Sequence, residues 1–277
     1  MSIPNEPVQR PVVVLLHSSG SSSRQWQGLT ELLEPRYRVH AVDLHGHGLQ
    51  APWGGDAPLT LADEAALAAP LLAQAGAAHL VGHSYGAAVA LKLATLHPQR
   101  VLSLVAYEPV LLRWLIDDPD GAPFARDLVA VAEAVRHALA QREEPSAARR
   151  FIDFWSGAGT WDALPPDRQR SIAARMPSVA RQFDAVYGEP LQVAELARLG
   201  IPMSFMTGAD TVAATRRLAE LLRVALPGAR HELLQGMRHM GPVTHAPEVN
   251  GRIAGFLRAH APSGASRARR PGSGAPA

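Results

Sequence analysis

The pentapeptide Gly82-His83-Ser84-Tyr85-Gly86 constrains the fold of this 277-residue chain more than any other feature. It joins the apolar segment AHLV to AAVALKLATL, which is rich in small residues, so it predicts a strand that turns directly into a helix. A serine on so tight a turn has a strained backbone, and only glycines two positions to either side let the strand and the helix close around it. The pattern therefore predicts that Ser84 is a nucleophile presented at the amino end of a helix.

Short apolar runs alternate with helical patterns on both sides of this motif. The runs are PVVVLLHS, YRVHAVDL, AHLVGHS, RVLSLVAYEP, IPMSFMTG and ARHELLQG. Strands that are apolar throughout, rather than at every second residue, are typical of a parallel sheet covered by helices on both faces. The alternation therefore predicts an α/β fold with a mostly parallel central sheet.

Residues 112–190 interrupt this alternation with helical patterns alone. We predict a core domain formed by residues 1–111 and 191–261, a helical insertion over residues 112–190 and a disordered tail over residues 262–277. The tail contains only Pro, Gly, Ser, Ala and Arg, so it has nothing to bury. Eight of the 15 aromatic residues lie in the insertion: Trp114, Phe124, Phe151, Phe154, Trp155, Trp161, Phe183 and Tyr187.

Composition excludes several classes of protein. Without the three arginines of the tail, the chain has 24 basic and 25 acidic residues, so the basic face of a nucleic-acid-binding protein is not expected. No apolar run approaches the length that spans a bilayer, and the first residues lack the pattern of a signal peptide. The absence of cysteine excludes disulfides and thiolate metal sites. We expect a soluble, cytoplasmic protein, a monomer or a homodimer, that acts on a small molecule.

A serine nucleophile needs a base, and the base needs a carboxylate that orients it. His239 directly follows the last apolar run, whereas His245 lies further on, so His239 is the better candidate for the base. Asp210 follows the penultimate run and is the first candidate for the acid. Glu108, at the end of VLSLVAYEP, is the alternative acid.

Five motifs in this order resemble the α/β-hydrolase fold superfamily over residues 11–261, in the subgroup with a helical cap inserted after the sixth family strand. They are His17-Ser18-Ser19-Gly20, Asp43-Leu44-His45-Gly46-His47-Gly48, Gly82-His83-Ser84-Tyr85-Gly86, Gly208-Ala209-Asp210 and Gly236-Met237-Arg238-His239. The resemblance implies a covalent acyl-enzyme route with the triad Ser84, Asp210 and His239, and no cofactor. It also implies that residues 112–190 form the cap.

The resemblance further implies an oxyanion hole made by the backbone N–H groups of Tyr85 and Ser19. The chain departs from the family pattern at His17-Ser18, where His-Gly is usual, so Ser18 is expected to adopt the backbone geometry that glycine normally provides. The family's first two strands have no counterpart before Pro11. We therefore expect a sheet of about six strands without the amino-terminal hairpin.

The candidate substrate-binding residues are His17, Ser18, Glu108, Trp155 and Met240. For His17, the alternative is a structural role in bracing its loop. For Glu108, the alternative to the role of acid is that of a polar residue lining the cap entrance. His45, His47 and His83 lack a matching set of carboxylates, so no metal site is expected. The aromatic insertion favours a small or medium, mainly apolar carboxylic ester, lactone or thioester as the substrate. The alternatives are C–C bond hydrolysis or perhydrolysis by the same triad, or a ligand-binding protein with low turnover.

Overall fold

A six-stranded sheet forms the centre of the protein, as seen in a computed structural model that describes residues 10–261. The strands are β1 (Val12–Leu16), β2 (Arg38–Val42), β3 (Ala78–His83), β4 (Val101–Tyr107), β5 (Met203–Gly208) and β6 (Arg230–Leu234). They pair in the order β2-β1-β3-β4-β5-β6, and every pair is parallel. The predicted α/β fold with about six parallel strands is confirmed. The predicted tail, residues 262–277, lies outside the described residues.

Twelve α-helices accompany the sheet in the described part of the chain. They are α1 (Gln27–Leu33), α2 (Leu61–Ala75), α3 (Tyr85–Leu96), α4 (Leu112–Asp117), α5 (Ala122–Ala140), α6 (Glu144–Ser156), α7 (Pro166–Ala173), α8 (Met176–Tyr187), α9 (Val193–Ala197), α10 (Ala213–Ala225), α11 (Gly241–Thr244) and α12 (Ala246–Ala259). None of them is long and apolar enough to cross a membrane.

The sheet is buried on both faces because its central strands are apolar at successive positions. Successive side chains of a strand point to opposite faces. In β1, Val12, Val14 and Leu16 accordingly belong to one hydrophobic cluster, and Val13 and Leu15 belong to another. The first cluster includes α2, α3 and α4 to α10, and the second includes α1 and α12. The continuous apolar runs of the sequence therefore correspond to two separate cores.

Helices α4 to α8 lie between β4 and β5, where the sequence predicts a helical insertion. We call residues 112–187 the helical insertion. Pro177 lies in the first turn of α8, where its missing N–H costs no helical hydrogen bond, so it starts a new helix after α7. Trp114 Nε1 donates to the Leu191 carbonyl oxygen at 2.7 Å and ties the insertion to the chain that returns to the sheet.

The insertion also contacts loops that follow the carboxyl ends of the strands. Arg175 donates to the carbonyl oxygen of Gly20 at 3.0 Å, and Arg181 donates to that of Trp53 at 2.6 Å. Gly20 follows β1 and Trp53 follows β2. The insertion therefore lies over the edge of the sheet at which parallel α/β proteins bind their ligands.

Candidate active site

Ser84 occupies a strained turn between β3 and α3. Its backbone has φ 56° and ψ −118°, which is rare for a residue with a side chain. A Cβ atom on Gly82 would lie 2.5 Å from the Cα of Ala87, and one on Gly86 would lie 2.4 Å from the carbonyl oxygens of Leu16 and His17. Both glycines of the motif are therefore required by the close approach of strand and helix.

His239 lies against the Ser84 hydroxyl. Its Nε2 atom is 2.8 Å from Ser84 Oγ, and its side chain is almost completely buried. The loop after β6 positions it: the Tyr107 hydroxyl donates to the Arg238 carbonyl oxygen at 2.8 Å, and His83 Nε2 lies 2.8 Å from the His239 carbonyl oxygen. The indole of Trp155 stacks on the imidazole with ring centroids 4.1 Å apart.

Glu108 is the carboxylate that contacts this histidine. Its Oε2 atom lies 2.6 Å from His239 Nδ1, and the side chain is buried. A positive φ of 44° at Glu108 turns the chain sharply after β4. The Gly208 N–H donates to Oε1 and the Thr211 hydroxyl donates to Oε2, each at 2.8 Å, so the carboxylate is held from two sides.

The structure does not bring Asp210 to His239, and this corrects the expectation from its position after β5. The Asp210 backbone N–H bonds the Met237 carbonyl oxygen at 2.9 Å, and the residue is exposed. The adjacent Thr211 points inward instead and supports Glu108. The loop after β5 thus supplies hydrogen bonds to the carboxylate that contacts His239, while that carboxylate itself comes from the end of β4.

The structure places the two predicted oxyanion donors beside Ser84. Ser19 and Tyr85 line the same small cavity as Ser84. Within residues 10–261, neither backbone N–H is paired with an acceptor. Tyr85 begins α3, so its N–H belongs to the free amino end of that helix. Both groups are available to the oxygen anion that forms when Ser84 Oγ attacks a carbonyl group.

Ser18 does not take the geometry expected of glycine. The positive φ in this loop falls on Gly20, at 71°, and not on Ser18. The Ser18 hydroxyl donates to Gln25 Oε1 at 2.8 Å, and its N–H donates to the same atom at 3.2 Å. Gln25 Nε2 in turn lies 3.0 Å from His83 Nδ1. Gln25 therefore bridges the Ser19 loop and the histidine that holds His239.

His17 and His47 brace the same loop. His17 Nε2 accepts from the Leu44 N–H at 3.0 Å and its Nδ1 lies 2.8 Å from the Ser18 carbonyl oxygen. His47 Nε2 accepts from the Gly20 N–H at 3.0 Å. Burial lowers the pKa of His17 to about 3 and that of His47 to about 4, and it lowers the pKa of His83 well below its usual value. These three imidazoles are neutral near pH 7 and act as fixed hydrogen-bonding groups.

The cavity beside Ser84 has a volume of only about 20 Å³. That is room for about one water molecule. Its walls are mainly apolar and come largely from the insertion; the residues are Ser19, Ser84, Tyr85, Val110, Phe151, Trp155, Val179, Gln182, Phe183 and Val186. Of the candidate substrate-binding residues, the structure places Trp155 on this cavity. His17 and Ser18 do not line it, and neither does Met240, which directly precedes α11.

Sequence reasoning missed four polar residues that this site uses. They are Gln25, Glu64, Thr211 and Gln182, which lie on four separate segments of the chain. Gln25 and Thr211 carry no recognisable motif. Glu64 and Gln182 occur within patterns that predict ordinary amphipathic helices. The sequence signal for Glu64 was that a charged residue occupies a position on the buried face of the α2 pattern.

A serine, a histidine and a carboxylate that are hydrogen-bonded at the carboxyl edge of a parallel sheet are typical of α/β hydrolases. Residues 13–252 match the model of the alpha/beta hydrolase family. The chain therefore belongs to that family and is a hydrolase.

The individual proteins to which the chain is similar include esterases. A pimeloyl-[acyl-carrier protein] methyl ester esterase of Serratia marcescens is 27% identical over 90% of this chain and 94% of its own length. The enzyme of the same name from Aeromonas hydrophila subsp. hydrophila is 41% identical, but that match covers only 35% of this chain and 37% of the relative. A carboxylesterase from Bacillus subtilis superposes with a TM-score of 0.69, over 91% of this chain and 85% of its own. At 23% identity, this last likeness shows the fold alone. Together, the family and its relatives support an ester-cleaving serine hydrolase.

Proposed function

We propose that the protein hydrolyses carboxylic esters through an acyl-enzyme on Ser84. The observation that carries the proposal is the continuous hydrogen-bonded row of Ser84 Oγ, the His239 ring and Glu108, with distances of 2.8 and 2.6 Å. These distances are within the reach of proton transfer. The assignment of Glu108 as the acid replaces that of Asp210.

The reaction follows from the position of each group. His239 Nε2 takes the proton of the Ser84 hydroxyl as its oxygen attacks the ester carbonyl carbon, and Glu108 stabilises the imidazolium through Nδ1–H. The N–H groups of Ser19 and Tyr85 stabilise the negative oxygen of the tetrahedral intermediate. His239 then protonates the departing alcohol. Water, deprotonated by the same imidazole, cleaves the acyl-enzyme and releases the acid.

The substrate class follows from the walls of the cavity. Phe151, Trp155, Val179, Phe183 and Val186 favour a small or medium, mainly apolar acyl or alcohol group. Lactones and thioesters present the same electrophilic carbonyl. Two of the relatives are pimeloyl-[acyl-carrier protein] methyl ester esterases, so methyl esters are included among the first substrates to test.

The helical insertion serves as a cap in this proposal. A cavity of about 20 Å³ does not admit an ester, so α6 and α8, which supply Trp155 and Gln182, must shift before substrate binds. Closure over the bound ester then excludes water from the site until the alcohol has left. The division into a core and a cap, the cytoplasmic location and the choice between a monomer and a homodimer stay predictions.

The test is labelling with a fluorophosphonate probe followed by intact mass and peptide mapping, together with hydrolysis of p-nitrophenyl butyrate and methyl hexanoate. We expect one label, on Ser84, and a loss of turnover by at least about 10³-fold in Ser84→Ala. Ser171→Ala, on α7, is the matched control and should keep both properties. Turnover retained by Ser84→Ala would contradict the proposal.

The alternatives have distinct outcomes. Faster cleavage of a β-diketone than of any ester would favour C–C bond hydrolysis, and faster formation of a peracid with added hydrogen peroxide would favour perhydrolysis. A stable adduct on Ser84 with very slow turnover would favour a ligand-binding protein.

A further inference from the structure

Gln182 is a buried polar residue in the wall of a mainly apolar cavity. It lies on α8, it is only 1% exposed, and it lines the cavity that contains Ser84. Its Oε1 atom is buried and has no hydrogen-bond partner among the described residues. A buried amide oxygen without a partner is unfavourable, so its presence at the site needs an explanation.

Glu64 determines the orientation of the Gln182 side-chain amide. Glu64 is completely buried on α2 and accepts hydrogen bonds from the His45 N–H at 3.0 Å and the Tyr85 hydroxyl at 3.2 Å. Gln182 Nε2 lies 3.5 Å from Glu64 Oε1. Because an ionised carboxylate only accepts hydrogen bonds, Gln182 turns its NH₂ group to Glu64 and leaves Oε1 as an open acceptor.

The first turn of α2 fixes Glu64 itself. Thr60 Oγ1 accepts from the Asp63 N–H at 3.2 Å, and the Asp63 carboxylate accepts from the Thr60 N–H at 3.0 Å. This capping box fixes the first turn of the helix, which begins at Leu61, three residues before Glu64. The carboxylate is thus held by its own helix and by two further groups, and it orients Gln182 from a rigid position.

We propose that Gln182, oriented by Glu64, accepts a hydrogen bond from a hydroxyl group on the ester, so that the enzyme prefers hydroxylated esters to matched apolar ones. This inference rests on the proposed esterase function. The preferred group is a neutral donor. A carboxylate would meet no Arg or Lys among the residues that line the cavity, and an ammonium ion would lose its water with no carboxylate on the lining to replace it.

The experiment uses two matched trios of esters at pH 8, above the pKa of about 7 that burial gives Glu64. One trio is methyl hexanoate, methyl 3-hydroxyhexanoate and methyl 3-oxohexanoate. The other carries the same groups on the alcohol side: butyl, 2-hydroxybutyl and 2-oxobutyl butyrate. The measured quantity is the ratio of kcat/KM between members of one trio, because such a ratio is unaffected by a partly inactive preparation.

In at least one trio we expect the hydroxyl ester to exceed the apolar ester by roughly five- to tenfold, and the oxo ester, which only accepts hydrogen bonds, to be the poorest. Gln182→Met has a similar length without the amide and should bring the hydroxyl-to-apolar ratio close to one. Gln27→Met, on the exposed face of α1, is the control and should keep the wild-type ratios.

Glu64→Gln tests the orientation independently. The His45 N–H requires an oxygen at its position, so the new NH₂ group faces Gln182 and turns the Gln182 amide around. The NH₂ group of Gln182 then faces the cavity and can donate to a carbonyl oxygen. The kcat/KM of the oxo ester should therefore exceed that of the apolar ester.

A wild-type enzyme without preference for either hydroxyl ester, or a Gln182→Met variant that keeps the preference, would overturn the inference while leaving the esterase function intact. A failure of the proposed function is different: none of the six esters is hydrolysed and Ser84 is not labelled. That result would overturn the inference as well.

Discussion

Glu108 Oε2 lies 2.6 Å from His239 Nδ1, although 131 residues separate the two positions in the sequence. The contact joins the end of β4 to the loop after β6, on opposite sides of β5. Asp210 lies in the loop after β5, so the effects of substitutions at Asp210 and at Glu108 can be compared directly.

We predict that Glu108→Gln lowers kcat for p-nitrophenyl butyrate by about 10²- to 10⁴-fold. A glutamine NH₂ group at Nδ1 favours the tautomer with the proton on Nε2, which cannot accept the proton of Ser84. Asp210→Asn should stay within about twofold of wild type, because its side chain is exposed. A larger loss in Asp210→Asn than in Glu108→Gln would restore Asp210 as the acid.

The turn at Ser84 predicts unequal effects of two glycine substitutions. Gly86→Ala should destabilise the fold by about 2 kcal/mol or more, because its Cβ would lie 2.4 Å from two backbone carbonyl oxygens. Gly251→Ala, at an exposed position of α12 with nothing within 4 Å, should stabilise by up to about 1 kcal/mol. Urea unfolding measures both. A Gly86→Ala variant as stable as wild type would show that the turn relaxes freely.

The bridge made by Gln25 predicts a catalytic defect without direct contact to substrate. Gln25→Leu removes the acceptor of Ser18 and the partner of His83, so the Ser19 loop and His239 lose a shared support. We expect kcat to fall by about 10- to 100-fold with a smaller change in KM, because the displaced groups act mainly in the transition state. Gln27→Leu, two residues away and exposed, should leave kcat unchanged. A change in KM alone would assign Gln25 to substrate binding.

Glu64 predicts a pH-dependent contribution to stability. Burial raises the pKa of its carboxyl group from 4.5 to about 7. Between these pH values the folded protein keeps a proton that the unfolded chain releases, so this group makes the fold less stable as the pH rises. The free energy of unfolding of wild type should fall relative to that of Glu64→Gln, by on the order of 3 kcal/mol between pH 4.5 and pH 7.

Urea unfolding of both proteins at several pH values measures this difference. Burial lowers the pKa values of His17, His47 and His79, so these residues make the fold less stable on acidification. They are present in both proteins, so their contributions cancel in the comparison. Glu31→Gln, on the exposed side of α1, is the control and should show no such trend against wild type. A difference that does not vary with pH would show that Glu64 is ionised in the folded protein throughout.

Local patterns were sufficient for the fold. The parallel sheet follows from continuous apolar runs, and the restart of the helix at Pro177 follows from a missing N–H. The positions of Ser84 and His239 at the same edge of the sheet could also be predicted, since parallel strands bring their carboxyl ends to one edge. The choice between Glu108 and Asp210 could not be made in this way. Both follow strands at that edge, and the positive φ at Glu108 decides which side chain reaches inward.

The sequence by itself determined the strand, turn and helix around Ser84, because the absence of a Cβ at Gly82 and Gly86 is a property of those residues wherever the chain folds. Only the tertiary structure decided which polar groups form hydrogen bonds behind Ser84. The pairs Gln25–His83 and Glu64–Gln182 join positions 58 and 118 residues apart. Each member is an ordinary residue in its own segment, and its hydrogen bond exists only once the helices are packed and water has been removed from between them.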